Sequence, residues 1–338
     1  MTKKIVTFGE MLLRFSTSQG ERLSQAHHLT AHYGGAEANV AVSMSHFGYK
    51  SFLVSKVPNN PIGTAALKHL RSHGVYTDYI FVGGERLGTY YLEAGAGERS
   101  AHVTYDRKYS SFSQLEKDEI NLDEILSGAT LFHVSGITLA LSPELRELTL
   151  LALKKAKERG VRTSLDFNYR AKLWSQQEAS EVIQVLLPYI DICFFGELDA
   201  VHLLGLDHMD DSLPMEERLL RYYTIISKLY PDMKYISSTF RTVISASSNR
   251  LQGNLFTDGT LYQSKIHHIE PIIDRVGGGD AFAAGILSGI LDELPPEQIV
   301  SFATAASALK HTIHGDCNAF SKDEVIQFAN SESGKIVR

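Results

Sequence analysis

Cysteine, tryptophan, long apolar runs and excess positive charge are all scarce in this sequence. Its 338 residues include two cysteines, Cys193 and Cys317, which lie far apart and form no Cys-x-x-Cys pair. The sequence therefore indicates neither a disulfide framework nor a cysteine zinc site, and a reducing compartment is expected. Lys and Arg total 33 against 39 Asp and Glu, a formal charge of -6. This balance argues against binding of nucleic acid or of an anionic membrane surface.

Segments that would target the chain to a membrane are not evident either. The longest membrane-like stretch, residues 281–291, contains glycines and is shorter than the roughly 20 apolar residues of a spanning helix. We interpret it as a buried helix. Near the N-terminus, Glu10 and Arg14 interrupt the apolar residues before the core of a signal peptide can form. We therefore expect a cytoplasmic protein with no membrane partner.

The composition is that of a packed globular protein, with 43% hydrophobic and 21% charged residues. Strand-like segments alternate with helix-like ones along much of the chain. The predicted pairs are 51–57 with 65–72, 131–135 with 143–159, 162–167 with 176–187, and 190–195 with a short helix from 197, followed by a strand at 235–238. This alternation predicts an α/β fold with a mostly parallel sheet and helices on both faces. We expect a single domain over residues 1–338.

Two regions break the alternation. Residues 88–107 resemble a hairpin around the glycine-rich turn 95–97, and residues 11–32 could supply companion strands. Together they predict a small β lid with strands from about 11–33 and 86–108. Residues 243–264 predict two or three antiparallel strands at one edge of the main sheet.

The most informative segment is 274–285, where three consecutive glycines, Gly277, Gly278 and Gly279, lead into an apolar helical pattern. Free N–H groups at a helix N-terminus attract an anion, and glycine lets phosphate oxygens approach the backbone. Asp280 follows directly. It could be a simple helix cap, or a base that takes the proton of an alcohol attacking phosphorus.

Other phosphate-binding motifs are missing. The sequence has no Gly-x-Gly-x-x-Gly fingerprint after its first strand, no Gly-x-x-x-x-Gly-Lys-Ser/Thr loop, and no protein-kinase His-Arg-Asp and Asp-Phe-Gly elements. Rossmann, P-loop and protein-kinase interpretations therefore fail.

Two segments resemble the signatures of the PfkB, or ribokinase-like, carbohydrate kinases. They are Gly34-Gly35 with Asn39, and 274–280, which reads DRVGGGD. The resemblance covers nearly the whole chain and implies a three-layer α/β/α fold with a small β lid. It implies ATP-dependent phosphorylation of a sugar hydroxyl, in which Asp280 is the base and residues 277–279 form the anion hole.

Four further segments resemble 2-keto-3-deoxygluconate (KDG) kinases within that family. These segments are 9–12 (GEML), 90–93 (YYLE), 105–107 (YDR) and 165–170 (LDFNYR). Arg107 and Arg170 support an acidic sugar on physical grounds, because a guanidinium matches a carboxylate with two hydrogen bonds. The alternative for each is a structural ion pair.

Other residues are candidates for contacts with the sugar. Tyr91 and Tyr105 are predicted on the inner face of the hairpin, where they could close over the sugar or pack into the core. Gly34 and Gly35 would admit the sugar to the backbone, with Asn39 bonding a hydroxyl, or they merely start a helix. Glu10 and Met11, after the first strand, are candidates for the mouth of the site.

Nucleotide and metal candidates are matched less well. The family's N-x-x-E motif corresponds to Gly196-Glu197-Leu198-Asp199, which makes Asp199 a candidate for water-mediated contact with Mg²⁺. Glu197 is a competing candidate for that contact and a candidate for contact with ATP. The family's nucleotide loop corresponds to 238–242 without its glycines, which leaves Thr239 and Arg241 as candidates for ATP. Asn318 ends the segment 315–318, which resembles the late segment of KDG kinases near the adenine side, and it is a further candidate for contact with ATP. Magnesium held largely by ATP phosphates needs no protein cage.

These observations lead to one hypothesis and two alternatives. The hypothesis is an ATP- and Mg²⁺-dependent kinase that phosphorylates O6 of KDG. The alternatives are a fructokinase or other PfkB sugar kinase, and, from a different class, a non-catalytic sensor of sugar acids. The sequence leaves open the choice between KDG and its C4 epimer. A homodimer through the lid is plausible because an exposed lid can pair across a twofold axis.

Overall fold

Residues 2–330 are described by a computed structural model, and they form two β-sheets with helices packed around the larger one. The strands are β1 Lys4–Phe8, β2 Leu12–Ser16, β3 Thr30–Gly34, β4 Lys50–Val57, β5 Ile80–Val82, β6 Gly88–Glu93, β7 His102–Asp106, β8 Ala129–Ser135, β9 Arg162–Asp166, β10 Ile192–Phe194, β11 Tyr235–Ser245, β12 Ser248–Thr257, β13 Thr260–Gln263 and β14 His267–Ile269. The α-helices are α1 Ala36–His46, α2 Pro61–Ser72, α3 Leu122–Ile125, α4 Gly136–Leu139, α5 Pro143–Glu158, α6 Gln176–Leu186, α7 Glu197–His202, α8 Met215–Leu229, α9 Gly278–Leu291, α10 Pro296–Lys310 and α11 Lys322–Asn330.

The larger sheet is mostly parallel, as expected. Its order is β13-β12-β11-β10-β9-β8-β1-β4-β5, with β14 also paired to β12. The seven strands β5, β4, β1, β8, β9, β10 and β11 of this order run parallel. Strands β12, β13 and β14 pair antiparallel at one edge. The antiparallel edge predicted over 243–264 is thus confirmed. One boundary is wrong, because the strand predicted at 235–238 continues to Ser245 through its ladder with β12.

Helices cover both faces of this sheet. On one face, Ile5 and Leu131 of the strands pack with α1, α9 and α10. On the other, Val6 and Phe132 pack with α5, α6 and α8. Adjacent residues of each strand therefore enter different core layers, which is the pattern of a sheet buried on both sides. The three-layer α/β/α prediction is confirmed.

Helix α2 begins four residues before the predicted start. Asn60 Oδ1 accepts hydrogen bonds from the backbone N–H groups of Ile62 and Gly63, both at 3.0 Å. Pro61 occupies the first helical position, where its missing N–H is not needed. The Asn-Pro pair thus starts the helix, although prolines more often suggest an interruption.

The four-stranded sheet, hereafter the small sheet, has the order β3-β2-β6-β7. Two hydrogen bonds join β7 and the β6–β7 turn to other parts of the chain: Lys172 Nζ donates to Val103 O at 2.7 Å, and Ala246 N donates to Gly97 O at 2.8 Å. Dimerisation through this sheet stays a prediction.

Within residues 2–330, no helix has the length and apolar character needed to cross a bilayer.

The carboxyl ends of the parallel strands converge on one edge of the larger sheet. Glu10 lies just beyond β1, Ser135 ends β8, Asp166 ends β9 and Gly196 lies just beyond β10. Ligands of open α/β sheets bind at this edge. The start of α9 is brought there as well, through the packing of α9 on α1.

We expect Gly285→Ala to destabilise the fold. A Cβ at Gly285 would lie 2.5 Å from Ala303 Cα and 2.9 Å from Ala303 Cβ, so α9 and α10 would have to separate. Overpacking of this kind costs about 1–3 kcal/mol, against a helix-propensity gain of about 1 kcal/mol. Urea denaturation measures the change. A stability equal to that of the wild type would contradict this account of the helix contact.

Candidate active site

The three glycines at the start of α9 have three different environments. Gly277 has a φ of 81°, in the left-handed region, and a Cβ there would also collide with the carbonyl of Asp316. A Cβ on Gly278 would collide with the His311 ring. A Cβ on Gly279, by contrast, would meet no atom within 4 Å. The chain thus leaves open space beside helix N–H groups, where an anion is favoured.

Asp280, in the first turn of α9, is held by Asn39. Asn39 Nδ2 donates to Asp280 Oδ2 at 2.7 Å. The Asn39 amide is itself oriented, because its Oδ1 accepts from the Gly35 N–H at 3.3 Å and from the Cys317 thiol at 3.4 Å. The amide predicted to serve a sugar hydroxyl is therefore directed at the carboxylate of Asp280.

The electrostatic surroundings raise the pKa of Asp280 to about 7. Burial is the largest cause, and the negative charges of Glu37 and Asp316 act in the same direction. The Asn39 hydrogen bond and the charge of Arg170 oppose them. A carboxyl that titrates near neutrality can accept a proton at physiological pH.

A buried ion-pair network lies beside this carboxyl. Arg14 of β2 is fully buried and donates to both oxygens of Asp274, at 3.1 and 2.5 Å. Its Nε lies 3.1 Å from Asp316 Oδ1, and Tyr90 donates to Asp316 Oδ2 at 2.5 Å. Burial disfavours the charge on Arg14, yet the two aspartates hold its pKa above the ordinary value. The network therefore joins the small sheet to the segment that precedes the triglycine turn.

Gly34 and Gly35 have a packing role in the structure. A Cβ on Gly34 would overlap the side chain of Asp316, and a Cβ on Gly35 would collide with the carbonyl oxygen of Glu10. Gly35 also immediately precedes α1. The chain's own atoms therefore account for both glycines, which favours the structural alternative over close approach of a sugar.

The two arginines predicted to bind an acid differ. Arg107 is buried and donates through Nε to Glu10 Oε2 at 2.8 Å, and its Nη2 contacts the same oxygen. Arg170 is exposed and forms no ion pair within 4 Å in residues 2–330. Its charge still lowers the pKa of both Asp166 and Asp280. Arg107 thus has the structural ion pair, whereas Arg170 remains available for an anion.

The placement of Tyr91 and Tyr105 on one face of the hairpin is wrong. The register of β6 and β7 sets Tyr90 opposite Tyr105 and Tyr91 opposite Thr104. Because directly opposed residues share a face, Tyr90 and Tyr105 lie together and Tyr91 lies on the other side. There Tyr91 stacks on Phe15, with ring centroids 5.6 Å apart. Tyr90 is therefore the better candidate for the inner face.

The expected nucleotide turn at 238–242 is a strand. Thr239 and Arg241 belong to β11, where they pair with Gly253 and Leu251 of β12. The charge of Arg241 nevertheless acts on a residue beside the triglycine turn. The pKa of His311, whose ring abuts Gly278, is lowered to about 4, mainly by burial and partly by the charge of Arg241. The contact of Thr239 and Arg241 with ATP stays a prediction.

The remaining nucleotide and metal candidates have partners within the chain. Glu197 Oε1 accepts from Arg218 at 2.7 Å, and the Asn318 side chain bonds both backbone groups of Phe320. Asp199 Oδ2 accepts from the Gly196 N–H at 3.0 Å, and burial raises the pKa of Asp199. No group of three or more ligating side chains in the described residues could hold a metal ion. Magnesium would therefore need phosphate and water ligands in addition.

Comparisons with known proteins identify the family of this chain. The model of the pfkB family carbohydrate kinases matches residues 2–323. The chain belongs to this family. A 2-dehydro-3-deoxygalactonokinase of Haloferax volcanii is 36% identical over 326 residues, 96% of each chain. The solved 2-dehydro-3-deoxygluconokinase of Thermotoga maritima is 40% identical with a TM-score of 0.94, covering 97% of this chain and 100% of that one. A fructokinase of Solanum tuberosum is 30% identical over 328 residues, 92% of this chain and 90% of the relative.

The protein is thus a carbohydrate kinase with the expected ribokinase-like fold. Several residues of its site were not singled out from sequence. Asp166 ends β9, and its pKa is raised to about 7 by burial and by the charge of Asp280. Glu37 is buried under Ser135 and Thr138, whose hydroxyls donate to its Oε1 at 2.6 and 2.8 Å. In the sequence, two features could have drawn attention to these carboxyls: Asp166 ends a predicted strand, and Glu37 lies in the first turn of the helix that follows Gly35.

We expect Gly279→Ala to separate activity from stability in this kinase. The added methyl group would enter the open space at the helix N-terminus, so kcat/KM should fall about 100-fold through displacement of the bound anion. Stability should stay the same or rise by up to about 1 kcal/mol, because alanine suits a helix better than glycine.

Steady-state kinetics and urea denaturation of the same sample test this expectation. Gly285→Ala is the matched control, since it makes the same substitution on α9 where space is lacking. Wild-type kinetics in Gly279→Ala would show that no ligand occupies the space.

Proposed function

We propose that this carbohydrate kinase transfers the γ-phosphoryl group of ATP to the O6 hydroxyl of 2-keto-3-deoxygluconate, giving the 6-phosphate. The observation that carries the proposal is the position of Asp280, a carboxyl with a pKa of about 7 next to the open Gly279 N–H. The names of the Thermotoga and Haloferax relatives support a 2-keto-3-deoxy sugar acid as acceptor. They differ in the C4 epimer, so the acid class is better supported than the epimer.

In the proposed reaction Asp280 orients the acceptor hydroxyl and takes its proton. The hydroxyl oxygen forms a bond to the γ-phosphorus while the bond to the ADP oxygen breaks. N–H groups of residues 277–279 and the α9 dipole stabilise the negative charge on the phosphoryl group in transit. Magnesium carried by the nucleotide would neutralise phosphate charge, with Asp199 as a water-mediated partner. Positioning and electrostatics thus supply most of the rate enhancement.

Arg170 is the proposed partner of the substrate carboxylate. It is exposed at the edge where Asp166 ends β9, and its charge influences Asp280. A free guanidinium there gains a carboxylate without breaking an existing ion pair. The small sheet would close over the bound sugar and exclude water, which limits hydrolysis of ATP.

Fructose phosphorylation is the second candidate function. It is favoured by the fructokinase relative and by the Glu10–Arg107 pair, which removes one of the two arginines expected to bind an acid. A neutral ketose would need hydroxyl partners but no free guanidinium.

A substrate panel with Arg170→Gln distinguishes the two functions. For the wild type we expect kcat/KM to be highest for KDG or its C4 epimer and much lower for fructose and ribose. In Arg170→Gln, kcat/KM for the sugar acid should fall about 10- to 100-fold, the value of a charge-assisted hydrogen bond of about 1.5–3 kcal/mol. The residual activity on fructose should change less than about threefold. A coupled assay of ADP release provides all of these values.

Arg22→Gln, which alters an exposed arginine of the loop between β2 and β3, is the control. A wild-type preference for fructose, or equal losses on acid and neutral substrates in Arg170→Gln, would reject recognition of the acid. No ADP release with any sugar would reject the proposed reaction itself.

Asp280→Asn tests the base and its pH dependence. The carboxyl ionises near pH 7 in the folded chain and near pH 4 in the unfolded chain, so the folded state binds the proton more tightly. Its contribution to stability therefore decreases as the pH rises from about 4 through 7. The Tm of Asp280→Asn relative to wild type should be higher at pH 8 than at pH 5, while kcat falls about 100-fold or more.

Asp258→Asn, in the exposed turn between β12 and β13, is the control for the same chemical change. A pH-independent Tm difference would show that Asp280 does not carry the raised pKa. A kcat near that of the wild type would remove Asp280 as the base.

A further inference from the structure

The last turn of α10 packs against the triglycine turn from the protein side. Ser307 Oγ donates to the carbonyl of Gly278 at 2.8 Å, and the His311 ring abuts the same glycine. Lys310 belongs to the same turn of α10, and its Cε would lie 3.4 Å from a Cβ placed on Gly277. The triglycine turn therefore has α10 on one side, apart from the open space that the proposed function assigns to phosphate.

Lys310 is an unusual residue to find at this position. It is fully buried, and its Nζ forms one long hydrogen bond, to Ile313 O at 3.5 Å. It has no ion pair within 4 Å in residues 2–330. Lysine is almost never fully buried without a partner, because removing an ammonium group from water is strongly unfavourable. Methionine would fill a similar volume without that cost, so packing alone does not account for the amine.

The charges around Lys310 are unbalanced without it. Asp274 and Asp316 are two carboxyls against one guanidinium, that of Arg14. Burial lowers the pKa of Lys310, while both carboxylates act to raise it and Arg14 to lower it. We call these four residues the buried charge cluster. With the Lys310 ammonium the cluster has two positive and two negative groups, and without it one negative charge is in excess.

The field of this cluster reaches the start of α9. The charge of Asp316 contributes to the raised pKa of Asp280, which lies in the first turn of that helix. Charges interact more strongly in the protein interior than in water, since the effective dielectric constant there is lower. An excess negative charge in the cluster would therefore repel an anion bound at the triglycine turn.

We infer that Lys310 is a positioning residue for the phosphoryl donor: its ammonium group cancels the excess negative charge of the buried charge cluster behind the triglycine turn. A phosphate can then bind on the open side of the turn without repulsion from within the protein. Lys310 touches no ligand and acts through its field. The inference rests on the proposed function, which places the γ-phosphoryl group at this turn.

The experiment compares two nucleotides that differ in phosphate charge. Isothermal titration calorimetry at constant Mg²⁺ gives the Kd of ATP and of AMP, which lacks the β- and γ-phosphates. In Lys310→Met the Kd of ATP should rise about 10-fold, as expected for the loss of one unit charge acting through protein. The Kd of AMP should stay within about twofold. Lys56→Met, which alters a half-buried lysine of β4 paired with Glu119, is the control and should change neither value by more than about twofold.

Removing a negative charge from the same cluster should have the opposite effect. Asp316→Asn keeps the side-chain volume, and in it the Kd of ATP should fall about threefold while that of AMP stays the same. The double variant Lys310→Met/Asp316→Asn should return the ratio of the two Kd values to that of the wild type. A purely structural role predicts instead that each single variant weakens the binding of both nucleotides by a common factor, which would overturn the inference.

An unchanged Kd of ATP in Lys310→Met would overturn it as well. Urea denaturation shows whether each variant folds. If Lys310→Met does not fold, Asp316→Asn decides: ATP binding that is weaker than, or equal to, that of the wild type would reject a role of cluster charge. The proposed function fails separately, in the assay of ADP release. If no sugar acid is phosphorylated while the Kd values follow the expected pattern, only the acceptor is wrong.

Discussion

The buried guanidinium of Arg14 fixes how the two sheets meet, and the site depends on that placement. It contacts Asp274 and Asp316, and removing one partner of such a buried pair typically costs about 3–5 kcal/mol. Asp274 in turn accepts from the N–H groups of Val276 and Gly315, at 3.0 and 3.1 Å. One cation of the small sheet thereby positions both the segment leading into α9 and the loop that carries Asp316. The N–H groups of the triglycine turn therefore owe their position to a residue that contacts none of them.

Several carboxyls lie near the Arg14 ion pairs, and each has a different set of hydrogen-bond or ion-pair partners. Glu37 accepts from two hydroxyls and Asp280 accepts from an amide, whereas Asp316 accepts from a phenol and forms an ion pair with a guanidinium. Neutral donors satisfy hydrogen bonds without cancelling charge, so the pKa values of Glu37 and Asp280 remain raised by burial. An ion pair at Asp280 would have lowered its pKa and its affinity for a proton. Because its partner Asn39 is neutral, the pKa of Asp280 stays near 7.

Local patterns in the sequence predicted the parallel sheet and its antiparallel edge, because hydrophobic periodicity and turn residues act over a few positions. They also drew attention to Asp280, whose role as the base stays a proposal, since a glycine-led helix start is a local feature. Strand alternation shows that Tyr90 and Tyr91 face opposite ways but not which of them faces inward, and this is why Tyr91 was misplaced. The pairing of Arg107 with Glu10 joins positions 97 residues apart, and that of Arg14 with Asp274 joins positions 260 apart. No periodicity encodes such partners, so the distinction between a fixed and a free arginine required the fold.

The N-terminus of α9 would hold two anions in the proposed complex, the carboxylate of Asp280 and a phosphate, and these repel each other. A helix N-terminus stabilises negative charge, so it favours both the carboxylate of Asp280 and a phosphate at the open Gly279 N–H. A phosphate there would compete with Asp280 for the same dipole and add a like charge beside it, which raises the proton affinity of the carboxylate. Asp280 would then be a stronger base with nucleotide in place than without it. Because a stronger base withdraws a hydroxyl proton more readily, the proposed reaction would then couple proton removal to the presence of the phosphoryl donor.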